Sequence, residues 1–341
     1  MRRSSSASAS RAPLVSLLLG AALALAASQT GFAADLKMAS GYPDNNYLTL
    51  NLREFLADVD SRTKGGVQVT LHNNQSLVKL PDILRAVQSN QVAFGEIYAA
   101  NLGNQDPVFT LDAIPFLAPD EGAAWKLWFA SKPYVEQWFA KRGIRVLFAE
   151  FFPPQGFFTK KPVSTSADLA GLKLRIYSNE TKRMGELLKA QPLVVQFGEV
   201  PQAFATGLID AMFTSPQTGI DTQAWDFTRN FVNVGAMRAK LFVVVNDAEF
   251  KKLAPARQQA ILAAAAEAEK RGMDRSTAVS KTQTDELKQR GIAVSEASPQ
   301  LLGELKGVGR TMVDEWAQRV TPEQRAVLER YRQAQGADAK K

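Results

Sequence analysis

Apolar and polar residues follow two different periods along the chain. Over residues 67–72 the sequence VQVTLH alternates apolar with polar positions, which is typical of a half-buried strand. Over residues 47–59 the apolar residues recur every three or four positions, the spacing of one helical face. Units of these two kinds follow one another along most of the chain, and this order indicates an α/β architecture.

The two periods give a set of predicted elements. Strands are expected at residues 36–40, 67–72, 92–97, 144–151, 172–177, 193–196, 211–215 and 238–246. Helices are expected at residues 47–59, 81–89, 121–130, 133–142, 180–189, 200–206, 255–291, 299–320 and 322–333.

A break in composition divides the chain. Residues 151–156 read FFPPQG, a segment that continues neither a helix nor a central strand easily. We interpret it as a crossing between two lobes with a cleft between them. The predicted lobe I comprises residues 34–150 and 235–275, lobe II comprises 151–234 and 276–320, and 321–341 form a C-terminal helix and tail.

The N-terminus has the layout of a secretory signal peptide. Arg2, Arg3 and Arg11 precede an apolar run over residues 14–27, and small residues lead to Ala33. The run is shorter than the roughly 20 residues that span a bilayer, which disfavours a membrane anchor. We therefore predict that residues 1–33 are a cleaved signal peptide and that the mature chain is periplasmic. The absence of cysteine fits a chain long enough to bury a core without disulfides.

The charge balance argues against a nucleic-acid partner. The full chain carries a net charge of +7, and loss of the three N-terminal arginines leaves 38 basic against 34 acidic residues, a net of +4. These charges are dispersed, whereas nucleic-acid binding requires a concentrated basic stripe. We expect no nucleic-acid partner.

Catalytic motifs are absent from the sequence. His72 is the only histidine, and no Walker loop, G-x-S-x-G elbow or G-x-G-x-x-G turn occurs. Zinc, copper and iron sites would lack their usual histidine and cysteine ligands. We therefore expect a protein that is no enzyme and needs no cofactor. One alternative stays open, a periplasmic enzyme acting on a carboxylic acid with Glu96 or Glu150 as a base.

One strand raises a specific question about Arg175. Apolar residues at positions 172, 174 and 176 alternate with Lys173, Arg175 and Tyr177, and Ser178 or Asn179 could cap a following helix. Arg175 is then either an exposed strand residue or a cation held beside a helix N-terminus to bind an anion.

Several motifs together resemble a known family. The stretches FFTKKPVSTSADLAGLKLR at 157–175 and FGEVPQAFATGLIDAMFTSP at 197–216 resemble the solute-binding proteins of tripartite ATP-independent periplasmic (TRAP) transporters, the family named for dicarboxylate binding. LHNNQSLVKLPDILRAVQSNQVAFGEI at 71–97 and LDAIPFL at 111–117 match its first lobe. The resemblance spans nearly the whole chain after the N-terminal segment, in order.

The resemblance implies a fold and a set of ligand contacts. The family has two α/β lobes, joined by crossing strands and a long hinge helix, that close over an organic anion. An arginine at the position of Arg175 pairs with the ligand carboxylate, a role suited to a planar and permanently charged guanidinium. Further ligand contacts are expected at Asn46, Tyr47, Glu96, Tyr177 and Phe197. Glu96 could instead be a cap or form an interlobe salt bridge, Phe197 could belong to the core, and Tyr177 could cover a neighbouring helix.

Departures from the family pattern narrow the ligand. Sialic-acid binders have a second arginine where this chain has Gln155, so a single strong anion-binding arginine is expected. Where they read GQEN, this chain has AMFT, which places Phe213 and Thr214 at the pocket. The aromatic residues near these motifs are Phe157, Phe197, Phe213 and Trp225. We therefore predict a monocarboxylate with an apolar or aromatic body, such as an aromatic acid or a 2-oxo acid.

The sequence as a whole predicts a transport receptor. We expect a monomeric periplasmic protein that captures a small organic acid and delivers it to a TRAP-type membrane permease. A binding protein that serves a sensor kinase is the alternative within the same class.

Overall fold

Two mixed β-sheets form the framework of the molecule. The structure, a computed structural model, describes residues 34–338. Its strands are β1 Ala34–Ala39, β2 Val67–His72, β3 Phe94–Tyr98, β4 Ile144–Phe151, β5 Gly156–Thr159, β6 Lys173–Ile176, β7 Gln191–Val194, β8 Ala211–Thr214, β9 Asn230–Asn233, β10 Lys240–Asn246 and β11 Ala293–Glu296. Its helices are α1 Tyr47–Thr63, α2 Ile83–Gln88, α3 Glu121–Ala140, α4 Asn179–Leu187, α5 Val200–Ala205, α6 Pro216–Asp221, α7 Asp247–Lys252, α8 Pro255–Gln289, α9 Pro299–Arg319 and α10 Pro322–Asp338.

Each sheet belongs to a different lobe. The five-stranded sheet has the order β2-β1-β3-β10-β4 and lies in lobe I, and the six-stranded sheet has the order β11-β9-β5-β8-β6-β7 and lies in lobe II. Within lobe I, β1 is parallel to β2 and β3, and β10 runs antiparallel between β3 and β4. The predicted two-lobed α/β fold is confirmed, while the boundaries of the lobes stay a prediction.

Several connections join the lobes. The segment after β4 leads into lobe II, and the segment before β10 returns to lobe I. Backbone hydrogen bonds join the two segments: Phe152 N donates to Ala239 O at 2.8 Å, and Gln155 N donates to Met237 O at 3.1 Å. Another connection is α8, which packs against α1 and β4 in lobe I and against α6 and β11 in lobe II. This long helix and the paired crossing segments are the hinge of the two lobes.

Helix α1 shows why the apolar periodicity was a reliable guide. Its side chains at Leu48, Leu52, Phe55 and Val59 are fully buried, so the predicted apolar stripe faces the core. Asn46 caps the helix by accepting a hydrogen bond from Leu48 N at 2.9 Å.

The prediction of two helices at residues 121–130 and 133–142 is wrong. One helix, α3, runs through Pro133 and ends at Ala140. A proline inside a helix costs roughly 3 kcal/mol, because it removes a backbone hydrogen bond and crowds the preceding turn. Burial of a large apolar side chain contributes about 1.5–3 kcal/mol, which offsets this cost. The buried aromatic side chains on both sides of the proline are Trp125, Trp128, Trp138 and Phe139.

Strand β7 begins earlier than the sequence pattern predicts. It covers Gln191–Val194 and not 193–196, because Gln191 N donates to Leu172 O at 2.8 Å and starts the pairing with β6 there.

The predicted signal peptide, residues 1–33, lies outside the described residues. Among residues 34–338, no helix is both long enough and apolar enough to cross a membrane. The C-terminal helix α10 packs on lobe I, where Arg330 Nε donates to Ala130 O at 3.1 Å and the Tyr331 hydroxyl donates to Leu117 O at 2.7 Å.

Candidate ligand-binding site

Strand ends from both lobes meet at the junction between the lobes. In lobe I the chain leaves β1 toward Tyr42, and β3 ends at Tyr98. In lobe II, β6 carries Arg175 just before its end, and β8 ends at Thr214. Ligands of open α/β sheets bind outside the carboxyl ends of the strands, so this junction is where a ligand is expected.

A cavity lies at this junction. The empty space between its walls is about 470 Å³, including the part that is open to solvent. Rings meet edge to face across the cleft, with centroids 5.7 Å apart for Tyr98 and Tyr177 and 5.5 Å apart for Tyr42 and Phe197, so the lobes are closed on each other. The lining residues are Tyr42, Leu80, Tyr98, Asn101, Phe152, Gln155, Arg175, Tyr177, Gln196, Phe197, Thr214, Ser215, Thr218 and Ala239.

Arg175 is buried in this cavity and is no exposed strand residue. Only 4% of its surface is accessible. Its Nε donates to Val195 O at 2.9 Å, and its guanidinium carbon lies 4.8 Å from the centre of the Tyr177 ring. Both Nη nitrogens lack a hydrogen-bond partner among the described residues, so the forked end of the guanidinium is available to a ligand.

No carboxylate neutralises this cation within the described part of the chain. Burial lowers the pKa of Arg175 from its ordinary 12.5 to about 10, and nearby tyrosines oppose that shift. The side chain is therefore a charged group at neutral pH, removed from water and without a counter-ion. A carboxylate ligand held by the two Nη nitrogens would supply the missing charge with charge-assisted hydrogen bonds.

Five of the nine predicted ligand residues line the cavity. They are Gln155, Arg175, Tyr177, Phe197 and Thr214. The Tyr177 hydroxyl donates to Gln155 Oε1, so these two side chains orient each other. Their contacts with a ligand stay a prediction.

The structure does not bring Tyr47 or Phe213 to the cavity wall. The Tyr47 hydroxyl donates to Phe151 O and is used within lobe I. Phe213 is fully buried with its ring 4.9 Å from that of Phe157, because neighbouring side chains on a strand point to opposite faces and Thr214 takes the cavity side. Of the four aromatic residues that suggested an apolar ligand, the cavity lining therefore includes only Phe197.

Glu96 and Asn46 also lie outside the cavity lining. Glu96 is on the same face of β3 as Tyr98 but two residues farther from the strand end, and it accepts a 2.5 Å hydrogen bond from the Ser40 hydroxyl. The amide of Asn46 is engaged with Asp221 in the other lobe at 2.8 Å.

Several cavity residues were not among the predicted ligand contacts. Tyr42, Tyr98, Asn101 and Phe152 line the cavity in lobe I and in the crossing segment. Each follows or ends a predicted strand at its carboxyl end, so the strand-end rule applied to the predicted elements could have identified them.

Two buried carboxyl groups flank β10 away from the cavity. Glu96 pairs in register with Val243, and Glu150 pairs with Leu241. Burial raises the pKa of Glu96 to about 7, and burial together with the charge of Glu96 raises the pKa of Glu150. Asn51 donates to Glu150 at 2.8 Å. Neither carboxyl group lines the cavity, so neither is placed to act as a base on a ligand bound there.

The sequence profile of the bacterial extracellular solute-binding proteins, family 7, matches residues 38–319. The chain belongs to this family. The resemblance to TRAP-transporter solute-binding proteins is thereby confirmed, as is the predicted class of protein, an extracytoplasmic solute-binding receptor.

Solved structures and a curated relative extend the comparison. The chain is similar to DctP7 of Bordetella pertussis, an extracytoplasmic solute receptor binding pyroglutamic acid, with 41% identity, coverage of 88% of this chain and 100% of that chain, and a TM-score of 0.86. A marine metagenome TRAP solute-binding protein specific for pyroglutamate shows 30% identity, coverage of 88% and 99%, and a TM-score of 0.85. The 2,3-diketo-L-gulonate-binding periplasmic protein YiaO of Escherichia coli K12 is 25% identical over 253 residues, 72% of this chain and 76% of the relative.

Proposed function

We propose that this protein is a TRAP-transporter receptor that binds pyroglutamate, a small monocarboxylate with a five-membered lactam ring. The observation that carries the proposal is the buried guanidinium of Arg175, which lines the cavity without a counter-ion among the described residues. Two relatives at 41% and 30% identity bind pyroglutamate or pyroglutamic acid, which supports this choice among the monocarboxylates.

The polar groups of the cavity suit a lactam. A lactam ring presents one carbonyl acceptor and one N–H donor beside the carboxylate. The Tyr98 hydroxyl is buried without a hydrogen-bond partner among the described residues, and the Asn101 amide and Thr214 hydroxyl share the cavity with it. These groups can satisfy the lactam, which must be hydrogen-bonded once it is removed from water.

The apolar part of the cavity suits a small ring. Tyr42, Phe152, Tyr177 and Phe197 supply aromatic walls from both lobes. The two ring methylenes of pyroglutamate would pack against these walls, whereas a polyhydroxylated acid would leave hydroxyl groups facing them. The ligand is therefore a monocarboxylate with a compact, partly apolar body. The cavity requires neither an aromatic ring in the ligand nor the hydroxyl groups of a sugar acid.

The remaining parts of the proposal concern location, oligomeric state and partner, and membership of the family supports the location and the partner. The protein acts in the periplasm after removal of a signal peptide, binds as a monomer, and delivers its ligand to a TRAP-type membrane permease. It is a receptor and no enzyme. If it instead serves a sensor kinase, deletion of its gene will leave pyroglutamate uptake unchanged and abolish a transcriptional response to pyroglutamate.

A thermal-shift panel tests the proposal. The panel contains L-pyroglutamate, L-proline, phenylpyruvate and D-glucuronate at equal concentrations. A ligand present at about 100 times its dissociation constant adds about 2.7 kcal/mol to the free energy of unfolding, enough to raise the Tm by several degrees. We expect the largest shift with pyroglutamate. A larger shift with glucuronate, or none with pyroglutamate, would contradict the proposed ligand.

A further inference from the structure

A chain of amide and carboxyl groups connects the lobes outside the cavity. Asn46 Nδ2, at the N-terminus of α1 in lobe I, donates to Asp221 Oδ2, at the end of α6 in lobe II, at 2.8 Å. Gln217 Nε2 donates to the other Asp221 oxygen at 2.7 Å. Gln283 of the hinge helix α8 donates to Gln217 Oε1 at 2.5 Å. We call these four residues the clasp.

The position of Asn46 at the start of α1 leaves only its Nδ2 group free to bond to lobe II. Its Oδ1 is occupied as the N-cap of α1, accepting from Leu48 N at 2.9 Å. The amide orientation is thereby fixed, and Nδ2 points across the cleft toward the carboxylate. Asn46 itself is fully buried, so opening of the lobes would leave Nδ2 to be paired by water.

Asp221 is held in place by its own lobe. Gln217 lies one turn earlier on α6 and Gln283 lies on α8, so the carboxylate is oriented before the lobes meet. Among the described residues no cation pairs with it, and the amide groups of Gln217 and Asn46 are its hydrogen-bond donors.

We propose that the Asn46–Asp221 hydrogen bond is an interlobe contact that favours the closed arrangement and so raises ligand affinity without touching the ligand. The effect on affinity rests on the proposed function, while the effect on closure does not. The two residues are positioning residues, since neither lines the cavity. Opening of the lobes must break this bond before the ligand leaves, so its loss accelerates ligand release.

The variant Asn46→Asp tests this bond without removing the cap of α1. Aspartate is as good an N-cap as asparagine, so the acceptor for Leu48 N is retained. The donor to Asp221 is lost, and two carboxylates then face each other across the cleft. Burial raises the pKa of Asp221 to about 6 in the parent, and the new carboxylate raises it further in the variant. Closure must then either bring two ionised carboxylates together or take up a proton, and both cost free energy that the parent does not spend. We expect the Kd for pyroglutamate to rise at least tenfold, mainly through faster dissociation.

The double variant Asn46→Asp/Asp221→Asn exchanges donor and acceptor. The amide introduced at position 221 can donate to the carboxylate at position 46 and still accept from Gln217 Nε2. We expect its Kd to return to within about threefold of the parent value. The inference is overturned if Asn46→Asp leaves the Kd within twofold of the parent, or if the exchange restores nothing.

A matched control lies within one lobe. Asn233 Nδ2 donates to both carboxylate oxygens of Glu296 at 3.1 Å, and both residues belong to lobe II. Asn233→Asp also brings two carboxylates together, with a weaker repulsion because Glu296 is exposed to solvent, and no interlobe contact is lost. We expect it to leave the Kd unchanged.

A measurement without ligand separates the clasp from the identity of the ligand. The chain contains no cysteine, so two introduced cysteines can carry a pair of fluorophores that reports the distance between the lobes. Suitable exposed positions are Gln68→Cys in lobe I and Gln202→Cys in lobe II. We expect Asn46→Asp to shift the distance distribution of the ligand-free protein toward longer distances. Identical distributions overturn the clasp even if pyroglutamate binds, and a shift supports it even if pyroglutamate does not bind.

Discussion

Replacement of Arg175 by methionine should separate ligand binding from stability. The side chain is 4% exposed, and the fall of its pKa from 12.5 to about 10 corresponds to roughly 3 kcal/mol against the charged form in the ligand-free protein. Arg175→Met removes this cost and keeps an apolar chain of similar length. It also leaves Val195 O without its donor, which costs about 1–3 kcal/mol. The two effects nearly cancel, so the Tm of the ligand-free protein should change by only a few degrees.

The effect of the same substitution on affinity should be large. Two hydrogen bonds from a guanidinium to a carboxylate contribute about 1.5–3 kcal/mol each, or about 3–6 kcal/mol together. This corresponds to a loss of affinity of about 10² to 10⁴-fold. Isothermal titration calorimetry with pyroglutamate measures the loss, and thermal unfolding measures the stability.

A second arginine provides the control. Arg229 also donates to backbone carbonyls of lobe II, those of Trp225 and Thr228, but it is exposed and lies outside the cavity lining. Arg229→Met should leave the Kd unchanged. The reasoning is refuted if Arg175→Met binds pyroglutamate within tenfold of the parent protein, or if both variants lose affinity equally.

Four further substitutions test three other points of the structure. Tyr98→Phe should weaken pyroglutamate binding by about tenfold without lowering the Tm of the ligand-free protein, because it removes a buried hydroxyl that has no partner among the described residues; titration calorimetry and thermal unfolding measure the two effects. Burial raises the pKa of Glu96 to about 7, so the folded protein binds this proton more tightly than the unfolded chain, and the free energy of unfolding falls as the pH rises from about 4.5 to 7. Glu96→Gln should reduce this slope and raise the stability at pH 8 by on the order of 3 kcal/mol, measured by urea unfolding at pH 5 and pH 8. Gly309→Ala should lower the Tm, because its Cβ would lie 2.0 Å from Pro115 O, whereas Gly303→Ala in the same helix meets nothing within 4 Å and should raise stability by up to about 1 kcal/mol.

Each of these predictions has a contrary outcome. Equal affinity of Tyr98→Phe and the parent would show that the hydroxyl faces no polar group of the ligand. A pH slope that survives Glu96→Gln would assign the slope to other carboxyl groups. Equal Tm values for the two glycine variants would show that α9 is not held close to Pro115.

The sequence predicted the elements better than the surroundings of single residues. Local periodicity identifies α1, because its apolar stripe depends only on spacing within one helix. It failed at Pro133, where α3 continues because aromatic side chains on both sides of the proline pack into a core that local sequence does not describe. It also could not distinguish an exposed Arg175 from a buried one, since alternation gives the face of a strand and not what covers that face.

The candidate site shows the same limit. Arg175, Tyr177 and Thr214 lie at the ends of lobe II strands, and both the family resemblance and the strand pattern pointed to that edge. Asn46 was expected to contact the ligand, but its contact is Asp221, 175 residues away in the sequence and in the other lobe. Contacts that depend on how two lobes meet cannot be found from local patterns.

Titration of the purified protein with L-pyroglutamate and with 2-pyrrolidinone tests the central claim most directly. The two molecules share the lactam ring, and only pyroglutamate carries the carboxylate that Arg175 would bind. Our account predicts saturable binding of pyroglutamate and at least a hundredfold weaker binding of 2-pyrrolidinone. Similar affinities for the two, or no binding of pyroglutamate, would contradict the role of Arg175 as the carboxylate-binding residue.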